Sequence, residues 1–153
     1  MTKIVGRTVF SRPVEDLFDF LADPRNEPLY NPLILSAEKI TAGPIGVGTR
    51  FVQRAKSLGR VGSVNIEVVS YIRPDHLGFA IQSAAMNVLG EQTFSPAPPI
   101  GCQVIWAWDL RARGPWRLLG PLFGLAGRRL EQRVWEQMKA YVDTVGTRAG
   151  TVR

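Results

Sequence analysis

The chain has 153 residues, 45% of them hydrophobic, which is enough for one domain with a substantial core and too little to expect two. A single cysteine, Cys102, excludes an internal disulfide, and with His76 as the only histidine the ligands of a structural zinc site are missing. No metal or other cofactor is expected, and a reducing, cytoplasmic setting fits. The net charge of +6 comes from scattered basic residues with no dense Lys/Arg tract, so it reads as a solvated surface and no nucleic-acid partner is expected.

Residues 3–10, rich in β-branched side chains and interrupted by Lys3 and Arg7, read as a first strand and not as a secretory signal. Ser11 is placed to cap a short helix with Pro13 in its first turn, and Val14, Leu17, Phe18, Phe20 and Leu21 share its apolar face. Asp23 is expected to cap a second short helix, which Pro28 and Pro32 keep from growing. Residues 33–40 form the next strand, 41–48 a turn, and 49–56 a strand with Phe51, Gln53 and Ala55 on one side and Arg50, Arg54 and Lys56 on the other. In residues 61–72, Val64, Ile66 and Val68 oppose Ser63, Asn65 and Glu67 in the same way.

Pro74 and Asp75 mark a turn, residues 77–83 and 86–94 read as two more strands, and SPAPPIG (95–101) reads as a loop. Residues 102–113 alternate again, with Val104, Trp106, Trp108 and Leu110 facing one way. Pro115 is then expected to open a helix that runs to about Val145, where Gly146 stops it. Its stripe is Leu119, Phe123, Ala126, Leu130, Val134, Met138, Tyr141, Val142 and Val145. Successive strands joined by short turns imply an antiparallel sheet, and only the terminal helix is long enough to cover its open face. The fold class is therefore α+β, a helix-grip fold. A curved antiparallel sheet of about six or seven strands wraps around a long C-terminal helix, with two short helices after strand 1. One domain is expected over residues 1–146, followed by a flexible tail at 147–153.

Three segments occur in an order that resembles a known superfamily: RPVEDLFDFLADPRNEPLYNP (12–32), GVGTRF (46–51) and LLGPLFGLAGRRLEQRVWEQMKAYVDTV (118–145). The resemblance is to the START-like or Bet v 1-like proteins, and within them to the polyketide cyclase/dehydrase and lipid-transport group called SRPBCC. It implies a cavity between sheet and C-terminal helix that binds a hydrophobic small molecule, lipid or polyketide-like, with catalysis in only some members. Binding or transport is the leading expectation. The alternatives are a cyclase/dehydrase-type enzyme that works by positioning its substrate and a membrane- or protein-interaction module.

The inward strand positions supply candidate ligand-binding walls in Phe51, Ile66, Phe79, Ile81, Trp106 and Trp108, with Gln53 and Gln92 as polar points. Tyr30, Leu119 and Phe123 are expected to border the same space. Tyr30, Gln53 and Gln92 are also the candidates for a weak base or donor in the enzyme reading. No catalytic residue is assigned. His76 lies in a turn, Cys102 has no second histidine to activate it, and Glu67 and Asp109 fall on outer faces, so a paired-carboxylate site is not expected. The apolar run at 118–126, flanked by Arg117, Arg128 and Arg129, is about half the length that spans a bilayer, so no transmembrane segment is expected. It is apolar on nearly every side and broken by glycines. That fits a movable cover at the pocket mouth, suited to peripheral membrane contact or to a homodimer.

Overall fold

Seven antiparallel strands form one sheet in this computed structural model, which describes residues 2–57 and 59–145. In chain order the elements are β1 (Thr2–Phe10), α1 (Val14–Leu21), a 3₁₀ helix (Pro24–Leu29), β2 (Ile34–Lys39), β3 (Arg50–Ser57) and β4 (Arg60–Ile72). They continue with β5 (His76–Gln82), β6 (Met86–Ala97), β7 (Gly101–Ala112), a second 3₁₀ helix (Gly114–Leu119) and α2 (Gly120–Thr144). Strands β2 to β7 pair in sequence order, and β1 closes the far side by pairing with β7, which gives the spatial order β1-β7-β6-β5-β4-β3-β2. This is the helix-grip arrangement, with the two short helices inserted between β1 and β2. The expected stop at Gly146 and the tail at 147–153 lie outside the described residues.

The alternation read from the sequence sets the inner face. Phe51, Gln53, Ile66, Val68, Leu77, Phe79, Gln92, Phe94, Val104 and Trp106 are all buried. Helix α1 closes one end of this face with Leu17, Phe18, Phe20 and Leu21, and the Phe18 ring meets Tyr71 and Phe94 edge-on at centroid distances of 5.2 Å. Asp23 caps the first 3₁₀ helix as expected, accepting from the Arg25 N–H at 3.0 Å. Ser11 does not cap α1. Pro13 is the capping residue, without a side-chain bond, and the Ser11 N–H instead donates to Asp143 Oδ1 at 2.9 Å, tying the chain to the end of α2.

The SPAPPIG segment is only in part the loop it was expected to be, since just residues 98–100 form a turn. β6 continues through Ser95, Pro96 and Ala97, paired with Gln103, Cys102 and Gly101. β5 begins opposite Thr93, so beyond that point β6 has a strand neighbour on one side only, and a proline is tolerated where its missing N–H would have faced no partner strand.

The C-terminal helix departs most from expectation. Residues 114–119 form the 3₁₀ helix, and α2 begins at Gly120 rather than Pro115. Only part of the expected stripe packs inward. Met138 and Val142 are buried and Val134 and Tyr141 half-buried, whereas Leu119, Leu130 and Val145 are 42%, 45% and 57% exposed and Ala126 is exposed as well. The face that meets the sheet is Gly124, Gly127, Glu131, Trp135, Met138 and Val142. A Cβ on Gly124 would stand 3.1 Å from Thr2 Cγ2, and one on Gly127 3.1 Å from Ile4 Cδ1. The helix therefore approaches β1 through its small residues, which a hydrophobic pattern does not register.

Two further glycines seat the tryptophans of β7. Gly6 pairs with Trp106 and Gly90 with Trp108 across neighbouring strands, and each indole lies over the bare Cα opposite it. A Cβ at Gly90 would fall 1.7 Å from Trp108 Cζ3, and one at Gly6 2.1 Å from Trp106 Cζ2. Gly90→Ala is therefore expected to destabilise the protein by about 1–3 kcal/mol through overpacking. Gly62→Ala, in β4 with nothing within 4 Å of the added carbon, is the matched control. Urea denaturation of both variants checks the pair, and equal midpoints would contradict this seating.

Candidate ligand site

A small polar cluster sits between the inner face of the sheet, the first 3₁₀ helix and α2. From the 3₁₀ helix comes Glu27, whose carboxylate accepts from Gln53 Nε2 at 2.7 Å and from Asn31 Nδ2 at 3.1 Å. Gln53 also donates to the Pro24 carbonyl at 3.3 Å. The inward amide on β3 thus finds its partners within the protein and fixes Glu27 in place. From α2 comes Glu131, whose Oε2 accepts from two indoles, Trp108 Nε1 at 2.8 Å and Trp135 Nε1 at 3.2 Å. Trp135 stacks flat on Trp106, with centroids 5.1 Å apart and 3° between planes. Tyr30 packs near Phe20 at 6.0 Å, and Phe20 stacks on Tyr141 of α2 at 6.1 Å.

Burial controls the ionisation of all three acids. It pushes the Glu131 carboxyl up to about 7, against the pull of the two indole N–H groups and with a further push from the charge of Glu27. The Glu27 carboxyl is raised by burial and partly brought back by Gln53 and Asn31. The Tyr30 phenol is raised well above its ordinary value by burial, then by the negative charges of Glu27 and Glu131. These mutual effects place the three groups in one region. Their ionisable groups lie deep among protein atoms, yet the residues keep half-buried surfaces.

Two buried polar atoms beside this cluster have no partner: Gln92 Oε1 and Trp106 Nε1, on residues paired across β6 and β7. Asn26 Oδ1, under α1, is the third such atom among the described residues. An unpaired buried polar atom costs about 1–3 kcal/mol, so Gln92 and Trp106 are the points at which an incoming polar group would gain most.

Of the residues singled out in the sequence, Phe51, Gln53, Ile66, Phe79, Gln92 and Trp106 are buried on the inner face, and Tyr30, Ile81 and Trp108 are half-buried beside them. Leu119 is 42% exposed. The Phe123 side chain lies outside the described residues. Sequence reasoning missed Glu27, Asn31, Glu131 and Trp135, and with them the two buried carboxylates that it did not expect. The available signal was Glu131 itself, which falls in line with Gly124, Gly127 and Trp135 on one helical face. Cys102 is buried and its thiol is pushed up to about 11, well away from nucleophilic readiness. Among the described residues no group of three or more metal-ligating side chains comes together.

A concavity of about 720 Å³ lies on the outer face of the sheet. It follows two cross-strand rows, Arg50-Glu67-Ala80-Leu89-Asp109 and Asn65-Gln82-Asn87-Arg111, with an Arg50–Glu67 ion pair at 2.7 Å. Phe51, Ile66 and Ile81 also border it. Its lining mixes the ion pair and polar side chains with Ile40, Ala80, Val88 and Leu89.

The curved seven-stranded sheet, the paired short helices and the long helix laid across the inner face define a START-like helix-grip protein. Residues 1–143 match the family described as polyketide cyclase / dehydrase and lipid transport, and the chain belongs to that family. Solved structures agree on the fold. A START superfamily protein from Mycobacterium smegmatis superposes with a TM-score of 0.82 at 12% identity, covering 95% of this chain and 99% of that one. An aromatase/cyclase from a Streptomyces species gives 0.71 at 12% identity, with 94% and 97% covered. A Thermus thermophilus protein gives 0.67 at 16%, with 90% and 97% covered. No curated protein matches the chain in sequence.

The raised Glu131 makes a directional prediction. A carboxyl with a folded value near 7 and an unfolded value near 4.5 holds more protons in the folded state between those limits. Its contribution to stability is therefore full below about pH 4.5 and is lost as pH rises to about 7. Urea midpoints measured across this window should fall more steeply for the wild type than for Glu131→Gln. Parallel pH profiles would contradict the burial of a titrating Glu131.

Proposed function

We propose that the space between the sheet and α2 binds a hydrophobic small molecule, lipid or polyketide-like, that carries at least one hydrogen-bonding group. The observation that supports this reading is the polar cluster itself. Glu27, Tyr30, Glu131, Gln92 and Trp106 are set among apolar walls, with two polar atoms left unpaired and three acids whose proton affinities burial raises. A purely structural core would gain by replacing them with apolar side chains. A pocket for a greasy ligand has this composition, mostly apolar with a few convergent polar groups. Family membership is consistent with the reading and does not choose the ligand.

A second reading, turnover of a polyketide-like substrate in the manner of a cyclase or dehydrase, is favoured by one specific observation. A carboxyl held near 7 beside a second buried carboxyl and a phenol is suited to give and take protons at neutral pH. On this reading Glu131 holds or moves the proton, the indoles of Trp108 and Trp135 keep its carboxylate aimed, and the walls fold the substrate chain against it.

Gln92→Leu separates ligand binding from mere packing. Removing an unpartnered acceptor is expected to leave the free protein as stable or more so, while weakening a bound ligand roughly two- to tenfold. Tryptophan fluorescence titration with a panel of fatty acids and aromatic polyphenols reads the affinity, and thermal melts of the free protein read the stability. If no panel member binds the wild type and organic extracts of the purified protein are empty, the binding reading fails. Enzymatic turnover is tested by product profiles formed with wild type and with Glu131→Gln. Identical regiochemistry with and without the protein would remove it.

A further inference from the structure

Three leucines of the apolar run that was expected to cover the pocket are turned outward. Leu118 is 86% exposed, Leu122 65% and Leu125 58%. At 100° per residue, Leu122, Leu125, Arg129 and Arg133 share the side of α2 opposite Gly124, Gly127, Glu131 and Trp135, which face the sheet. The leucines occupy the first turns, and the arginines follow about 10 Å further along the axis at 1.5 Å per residue.

The charge around them is of one sign. Between Leu110 and Leu130 the sequence has Arg111, Arg113, Arg117, Arg128 and Arg129 and no acidic residue. Arg113 is engaged with the Ser83 carbonyl at 2.8 Å, while Arg117, Arg128 and Arg129 are exposed. A second copy of the chain meeting this patch across a two-fold axis would set arginines against arginines, with no carboxylate between residues 110 and 130 to pair them. A surface that is apolar inside and negatively charged at its boundary fits both features. Leucines enter to a depth of about 5–10 Å and arginines about 10 Å up the helix meet the phosphates.

We infer that this end of the protein, the second 3₁₀ helix and the first turns of α2, docks on the surface of an anionic lipid bilayer. The docking uses Leu118, Leu122 and Leu125 as the inserted edge, with Arg129 on the same side of the helix and the exposed Arg117 and Arg128 flanking it as the headgroup contacts. It does not depend on what the interior binds, although α2 carries both the docking edge on its outer side and Glu131 on its inner one.

Cosedimentation of the purified protein with vesicles tests the inference. Vesicles containing phosphatidylglycerol should carry the protein down at low salt and release it at high salt, and pure phosphatidylcholine vesicles should carry far less. Arg128→Glu with Arg129→Glu should remove the preference for the anionic lipid, since each arginine near such a surface is worth roughly fivefold in partitioning. Leu122→Asp with Leu125→Asp should weaken binding about tenfold or more. All four side chains are exposed, so circular dichroism should be unchanged. Arg7→Glu, on the outer face of β1, is the control and should bind as the wild type does. Failure of the wild type to bind anionic vesicles at low salt overturns the inference, as does an equal loss on Arg7→Glu. It is overturned too if sizing shows twice the chain mass and Leu125→Asp restores one, because the patch then belongs to a second copy.

Discussion

The carboxylate of Glu131, shared between an indole on β7 and an indole on α2, is the link on which the rest of this arrangement turns. Trp108 donates at 2.8 Å from the sheet and Trp135 at 3.2 Å from the helix. Burying a carboxyl costs several kcal/mol unless it is bonded, and here two N–H groups offset part of that cost while the rest is expressed as a raised proton affinity. The link needs Trp108 flat against the sheet, which the absence of a side chain at Gly90 allows. With Glu131 turned inward, helical geometry turns Gly124 and Gly127 onto β1 and sends Leu122 and Leu125 away from it. One interaction thus accounts for both the polar spot in the interior and the leucine edge outside.

Much of the fold was legible in the sequence because strands with one buried face announce themselves at a period of two. Phe51 and Gln53, Val64, Ile66 and Val68, and Val104, Trp106, Trp108 and Leu110 all lie on the inner face that alternation assigned to them. The terminal helix was legible in length but not in rotation. Hydrophobic periodicity selected Leu119, Ala126 and Leu130, while close approach to β1 selected glycines and hydrogen bonding selected a glutamate. Neither preference contributes to an apolar pattern. The SPAPPIG segment shows a related limit, since prolines exclude a central strand but not one whose far side has lost its partner.

The candidate site was half legible for the same reason. Its apolar walls and inward amides follow from strand alternation, so Gln53, Gln92 and the β7 tryptophans could be named from sequence. Glu27 lies in the second short helix, which its prolines keep too short to show an apolar face, and only the tertiary pairing of β3 with that segment shows Gln53 reaching it at 2.7 Å. Proximity of Glu27 to Glu131, on elements about a hundred residues apart in the chain, is a property of the closed fold and of no local pattern. The consequence for function is specific. On the proposed binding reading, an apolar interior that contains two carboxyls, one of them raised to about 7, changes its charge when a ligand enters and excludes water.

Carbon-13 NMR titration of the glutamate side-chain carboxyls, in free protein and with a saturating ligand from the binding panel, tests this account most directly. It predicts a Glu131 midpoint of about 7 in the free protein, displaced when the ligand is bound because ligand and carboxyl occupy one space. A Glu131 midpoint near 4.5, or ligand saturation that leaves the Glu27 and Glu131 signals unmoved, would contradict it.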